Sequence, residues 1–398
     1  MSAQAPRADA GELEHDYLNA IFAELCRIES PSGHERRCAD RVAEELRAIG
    51  LDVDEDDAAG QLGTDSGNLL TRIPAASTAG ARADAPGGCV LLCAHLDTVP
   101  LAAPVEPTLE EGVWRNANHG ILGADNKAAV AVLLALARHI RRSGAQLEVE
   151  LLFTVGEEVA LAGARAFDVE RLRSGAGYVF DHASPIGEVI VASPSHFRID
   201  ATFHGRSAHA GIRPERGRSA IVAAARAIAS MSLGRVDDAS SANVGCISGG
   251  TAMNVVAEEC SLVAEARSLR DERAEQLAAE MVARMHEAAN VPECECDVDV
   301  SVQRTFAGYG LPASRPVVRA AERALRACAH EPLHVTSGGA SDANVFNARG
   351  LEVVNLANGT EANHEPGERV SEQALQQMLA VALALLDELA ANGAALAR

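Results

Sequence analysis

Apolar residues along the chain recur with two periods. Leu13 to Ile28 and Glu35 to Ile49 carry helical spacing, separated by a Ser30-Pro31-Ser32-Gly33 turn. Asn68 to Ile73 reads as a strand. Pro74 to Gly88, rich in Ala, Ser, Gly and Pro, reads as a surface connection. Cys89-Val90-Leu91-Leu92-Cys93-Ala94 is an unbroken apolar run, as expected for a strand covered on both faces. It ends at His95-Leu96-Asp97. Leu109 to Asn116 predicts a hairpin, with His119 in its return. A helix follows to about Arg142, opened by Gly123-Ala124-Asp125. Leu147 to Val155 predicts a strand ending at Gly156-Glu157-Glu158, and Tyr178-Val179-Phe180 one ending at Asp181. Residues 1–11 are polar and predict disorder.

The pattern changes after Pro185. His196 to Arg206 alternates, with Phe197, Ile199, Ala201 and Phe203 on one face. Ser219 to Met231 reads as a helix, and Ala242 to Ser248 and Glu258 to Ser268 as strands. Asp271 to Ala289 is a second helix and Cys294 to Val302 a final strand. That order is β-α-β-β-α-β, the ferredoxin-like pattern. Beyond it come a helix over Ala313 to Ala329, a Gly-rich Ser337 to Asp342 loop, a short helix over Asp342 to Asn347 and a strand over Leu351 to Leu356. The His364 loop and a closing helix over Ser371 to Leu389 end the chain. The fold class is therefore α/β. A mostly parallel central sheet with helices on both faces is built from 1–186 and 307–398. An inserted α+β ferredoxin-like domain occupies 187–306.

Composition narrows the function classes. The chain has 398 residues, 47% of them hydrophobic but only 3% aromatic, so Ala, Val and Leu must fill the interior. A net charge of −21 argues against a nucleic-acid partner, which needs clustered Lys and Arg. The longest apolar run, Ala128 to Ala137, is too short to span a bilayer, and the first residues lack the apolar stretch of a signal peptide. No membrane partner is expected. Nine Cys without metal-type spacing read as reduced thiols in a cytoplasmic protein, and Cys294 and Cys296 as buried strand positions. Lys127 is the sole lysine, which hints at a need for a compact point charge in its loop.

Several strand-like runs end in acids or histidines. An isolated Asp125 at a helix start would ordinarily be an N-cap. In company with His95, Asp97, Glu157, Glu158, Asp181 and His364 it suggests more, because one carboxylate can bridge two metal ions. His95 and Asp97 face one side if the strand geometry continues, so Asp97 can accept from one ring nitrogen and leave the other free for a metal. Glu157 and Glu158 leave their strand in different directions, so one can bind a metal while its neighbour reaches a reacting water. His95, Glu157, Glu158 and Asp181 fall at carboxyl ends of strands, where open α/β sheets bind ligands. Carboxylate and imidazole donors without Cys suit a hydrolytic zinc site, with cobalt or manganese as substitutes.

The motifs Ala94-His95-Leu96-Asp97-Thr98-Val99-Pro100, Leu122-Gly123-Ala124-Asp125-Asn126-Lys127-Ala128 and Thr154-Val155-Gly156-Glu157-Glu158 occur in that order. His204-Gly205-Arg206-Ser207-Ala208-His209-Ala210-Gly211 lies in the inserted domain. Together they resemble the dinuclear zinc exopeptidases that include peptidase T, carboxypeptidase G and aminoacylase, and most of all the peptidase T-like tripeptidases. The resemblance runs from Ser30 to the His364 loop. It implies a zinc-exopeptidase-like catalytic domain with two Zn2+ per subunit. His95, Asp125 and Asp181 would hold one ion, and Asp125, Glu158 and His364 the other. Asp97 would orient His95, and Glu157 would be the general base. The inserted domain would be a lid through which the chain forms a homodimer. His209 would stabilise an oxyanion across that dimer, Asn254 and Arg267 would contact substrate, and Asp342 would meet a substrate amine. A cis peptide between Asp125 and Asn126 is also implied. Two positions depart from the common pattern: Asn126, where Asp is usual, and Ala129, where Gly is frequent.

Three functions are compatible with this reading: an aminopeptidase for short peptides, an amidohydrolase that removes acyl groups from amino acids or diamines, and a catalytically silent scaffold. A panel of free and N-acylated peptides separates the first two. Glu157 argues against the third, since a base is dispensable for binding.

Overall fold

A computed structural model describes residues 8–76 and 88–392. The chain opens with α1 (Ala8–Arg27), α2 (Arg36–Ala48), β1 (Val53–Glu55), α3 (Ala58–Leu62) and β2 (Leu69–Ile73). Next come β3 (Cys89–His95), the hairpin β4 (Pro107–Glu110) and β5 (Val113–Asn116), and α4 (Ala124–Ser143). After them lie β6 (Glu148–Thr154), α5 (Ala162–Ala166), β7 (Ala176–His182) and β8 (Glu188–Ser193). The middle of the chain forms β9 (Ser195–His204), α6 (Ala220–Ser230), β10 (Gly234–Asp237), β11 (Ser240–Gly249), β12 (Glu259–Ser268), α7 (Asp271–Ala289), β13 (Asp297–Phe306) and β14 (Tyr309–Gly310). The last part holds α8 (Pro316–Ala327), β15 (Leu333–Thr336), α9 (Asp342–Ala348), β16 (Glu352–Ala357), β17 (Thr360–Glu361), β18 (Arg369–Ser371) and α10 (Glu372–Asn392).

Two compact units result. One comprises 1–191 with 311–398, the other 192–310. The chain leaves the first unit at 192 and re-enters it at 311, a few residues later than the pattern change suggests. The reason is β8, whose residues Val189 and Ile190 pair antiparallel with β16.

The large sheet runs β1-β2-β6-β3-β7-β16-β8-β14, with β15 beside β8. Its centre, β6-β3-β7-β16, is parallel. β1, β2 and β8 pair antiparallel at the flanks. Every residue of β3 after Cys89 is buried. Successive side chains point to opposite faces, so both faces of this strand are covered. The α4 helix packs on β3 and β7 and against α1 and α10. It is apolar nearly all round, as a helix enclosed by other elements should be. By length and composition α10 could cross a membrane, a feature the run-length reading overlooked. Its buried residues, Leu375 and Leu385 among them, pack in the core beside α8 and α4.

The second unit is a five-stranded antiparallel sheet, order β10-β11-β12-β9-β13, carrying α6 and α7. Without the extra edge strand β10, this is the expected β-α-β-β-α-β order. Ile199, Ala201 and Phe203 face its core, together with the small residues of α6. Ser219 caps α6 by accepting the N–H of Val222. The last strand starts at Asp297, not Cys294. Cys294 and Cys296 are buried in the preceding turn, where alternation within five residues imitated a strand. The disorder expected for residues 1–7 lies outside the described residues, as does most of the 74–88 connection. Residues 8–11 belong to α1.

Candidate metal centre

Three parallel strands end at one place. β3 delivers His95, β6 leads through Gly156 to Glu157 and Glu158, and β7 carries Asp181. The fourth contribution is Asp125, from the start of α4. Gly123 sits in the left-handed region at φ 76° and Gly156 at 59°, so both turns use backbone that glycine adopts without strain. The Asp125–Asn126 peptide is cis, and both residues depart from helical angles, so regular helix begins at Lys127.

The distances define two overlapping groups. His95 Nε2 lies 3.3 Å from Asp125 Oδ1 and 3.6 Å from Asp181 Oδ1. His364 Nε2 lies 3.3 Å from Asp125 Oδ2 and 2.9 Å from Glu158 Oε1. The two oxygens of Asp125 thus face two different imidazole–carboxylate pairs. Each triad offers donor atoms within 4.8 Å of one another, and so do His95, Glu157 and Glu158.

Asp97 has more partners than an orienting role requires. His95 Nδ1 is 3.0 Å from its carbonyl oxygen and 3.3 Å from its carboxylate. The carboxylate also accepts the N–H groups of Glu157 (2.9 Å) and Glu158 (3.1 Å) and the Ser32 hydroxyl (2.6 Å). One buried acid therefore fixes both the imidazole and the backbone carrying the two glutamates.

The electrostatics follow from burial with an excess of acids. Burial and the neighbouring Asp181 push Glu157 well above the usual carboxylate range. Burial likewise lifts Asp181 to about 7 against the pull of His95. Burial would raise Asp125 as well, but the two imidazoles outweigh it and hold it low. His95 is raised well above its ordinary value, because the surrounding carboxylates overcome its burial. Asp125 and Glu158 raise His364 to about 10. The donor set is hard oxygen and imidazole nitrogen, suited to a divalent cation. Asp125 Oδ1, though buried, has no hydrogen-bond partner. These residues fit a metal.

The other expected residues are placed differently. Asp342 is only 2% exposed; its Oδ2 accepts the Thr154 hydroxyl at 2.6 Å and its Oδ1 has no partner. It opens α9 and points inward, so the Gly-rich loop is less open than its composition suggests. In the second unit, His209 and Asn254 are exposed and lie on neighbouring turns, joined by the Ala210 N–H to Asn254 carbonyl bond of 2.9 Å. Arg267 is half-buried on β12 and grips Glu265 through two nitrogens. Lys127 is 2% exposed, and its ammonium donates to the Ile28 carbonyl. The lone lysine fastens the end of α1 to the start of α4. The Asn126 amide is buried without partners.

Sequence reading missed four residues. Asn355 clamps Asp181, accepting its N–H and donating to its carbonyl, both at 2.9 Å. Asn363 donates to Asp125 Oδ2 at 2.8 Å. Ser32 binds Asp97, and Glu368 accepts three backbone N–H groups of the 122–125 segment. All act across long sequence separations, which no local pattern signals. The one available hint was the proximity of Asn363 and Glu368 to His364.

The chain is similar to known proteins along nearly its whole length. It is 33% identical over 370 residues to the uncharacterised protein YqjE of Bacillus subtilis (strain 168), covering 93% of this chain and 97% of that one. The crystal structure of a tripeptidase from Staphylococcus aureus subsp. aureus Mu50 matches with a TM-score of 0.87 and 32% identity, over 95% of this chain and 99% of that one. That of aminopeptidase PepT from Bacillus cereus ATCC 10987 matches with a TM-score of 0.83 and 34% identity, over 94% and 99%. The model of peptidase family M20/M25/M40 matches residues 91–388, which run from the middle of β3 into α10 and include all five candidate metal ligands and Glu157. The chain belongs to peptidase family M20/M25/M40.

Proposed function

We propose that the protein is a metal-dependent aminopeptidase that cleaves short peptides, with tripeptides as the preferred class. The observation that carries this reading is the Asp125 carboxylate, one oxygen facing His95 and Asp181 and the other facing His364 and Glu158. In this reading the two triads hold two Zn2+ ions, with Co2+ or Mn2+ as substitutes. Such ions, when bound, polarise a carbonyl and make water more acidic.

The chain's own residues supply the rest. Glu157 takes a proton from the attacking water and delivers it to the leaving amine. Its burial and the nearby Asp181 raise its affinity for that proton, which suits the role. Asp97 holds the His95 ring and the Glu157–Glu158 backbone in register. His209 stabilises the developing oxyanion, and Asn254 and Arg267 contact the peptide. Asp342, directed at Thr154, shapes the field around His95 instead of meeting a substrate amine. The chain acts as a homodimer through the second unit, in the cytoplasm; its nine free thiols support that location.

The test joins metal analysis of the purified protein with a panel of free and N-acylated di- and tripeptides. Two equivalents of metal and preference for a free amino terminus are expected. Preference for N-acylated substrates would replace this reading with a deacylase.

A further inference from the structure

Glu368 is an acid with almost no exposure, 2%, that makes no side-chain ion pair among the described residues. Its Oε2 accepts the N–H groups of Leu122 and Gly123 and its Oε1 that of Asp125, each at 2.8 Å. Burying a carboxylate is costly. Three N–H donors at the opening of a helix offset that cost through charge-assisted bonds and the helix dipole. The segment they hold presents Asp125.

Glu368 also shares a loop with His364. Within that loop the Glu368 N–H donates to the Glu365 carbonyl and the Glu365 N–H to the Ala362 carbonyl, both at 3.1 Å. A shift at Glu368 is thus passed along consecutive turns to His364. A second clasp is Asn363, which donates to Asp125 Oδ2, the oxygen that faces His364. The other triad shares Asp125, but its two remaining members are anchored independently of Glu368. His95 and Asp181 lie in strands held by β3–β6, β3–β7 and β7–β16 pairing, and Asn355 clamps Asp181. The His364 side chain is half-exposed and sits in a loop at φ 66°.

We propose that Glu368 is a positioning residue that sets the spacing of Asp125 and His364, and so maintains the Asp125–Glu158–His364 cation position selectively. The inference rests on the two-cation reading above. It predicts unequal loss: weakening Glu368 costs the loop-side ion and spares the strand-side one.

Calorimetric Zn2+ titration of chelator-stripped protein tests this, using the wild type, Glu368→Gln, His364→Ala and Asp181→Asn. The wild type should bind two ions. His364→Ala should lose one and Asp181→Asn the other. Glu368→Gln keeps the shape but sets an amide against backbone N–H groups. It should weaken the ion that His364→Ala loses by about tenfold or more, and leave the other ion within about twofold. Glu368→Asp, which restores the charge on a shorter arm, should recover part of that affinity. Circular dichroism and melting of the stripped proteins identify a variant that fails to fold; Asn363→Ala then carries the test, with the same expected asymmetry. Wild-type affinity at both positions in the variants, or equal loss at both, overturns the proposal. A wild type that binds fewer than two ions overturns the two-cation reading along with it.

Discussion

His95 and His196 are both buried or nearly so, both lie on strands, and both face carboxylates, yet their surroundings differ in kind. His95, in the first unit, faces Asp125 and Asp181 through one nitrogen, with Asp97 at the other. No Arg or Lys among the described residues bonds these acids, and Glu157 and Asp181 rise in pKa through burial. His196, in the second unit, contacts Glu265 at 3.0 Å, bonds Thr305 through Nδ1 and stacks on Phe306 at 5.1 Å. Arg267 binds the same Glu265 through two nitrogens. That group carries its own counter-charges. The first unit's cluster does not, and an excess of buried acid is stable only with a cation or with protons. The contrast separates a site that calls for metal from a polar cluster that is complete by itself.

The largest effect expected concerns the acid without a cation partner. Glu157→Ala should lower turnover by about 10²–10⁴-fold while both metal equivalents remain, as read by steady-state rates and metal analysis. Loss of metal in parallel would make Glu157 a ligand and blur the distinction between its role and that of Glu158.

Metal removal should come next. For each ion present at about 100-fold above its Kd, chelation should cost the folded state about 2.7 kcal/mol. Hydrogen exchange should speed up at 122–128 and remain unchanged in β12. A uniform response would mean that the two regions do not differ in their need for cations.

The smallest effect belongs to the balanced cluster. The His196 hydrogen bond, followed by Arg267, lowers Glu265 from its usual value to about 2 against its partial burial. A depressed carboxylate stabilises above its unfolded pKa, here about 4.5, and that contribution fades as pH falls towards 2. Glu265→Gln should remove this acid limb from denaturation curves. At neutral pH it should cost under about 1 kcal/mol, since the pair is partly solvated. Metal content should not change.

Four of the candidate positions, His95, Asp125, Glu158 and Asp181, stood out because each ends or follows a strand or opens a helix, and such places are visible in the apolar pattern; His364 lies in a loop, where no such pattern marks it. Asp342 was misread for a related reason. The short helix opening at Asp342 was expected and is α9, with Ser341 and Asn344 forming its capping box, but nothing local signalled that the Asp342 carboxylate turns inward to Thr154. The Cys294–Cys296 alternation was too short to distinguish a strand from a tight turn. Arg267, expected to contact substrate, also engages Glu265, two residues away on the same face, a pairing that the alternation did not signal.

What the sequence determined by itself was local and periodic: the alternation of strands and helices, the inserted β-α-β-β-α-β block, and the chemical type of the side chain at each strand end. Tertiary structure alone decided which oxygen of Asp125 faces which histidine, and that Glu368 and Asn355 hold their targets through backbone groups. Such bonds join residues about 170 to 250 positions apart. A backbone N–H is present at nearly every position, so the partner of a buried carboxylate or amide leaves no trace in residue identity and is set only when packing brings two segments together.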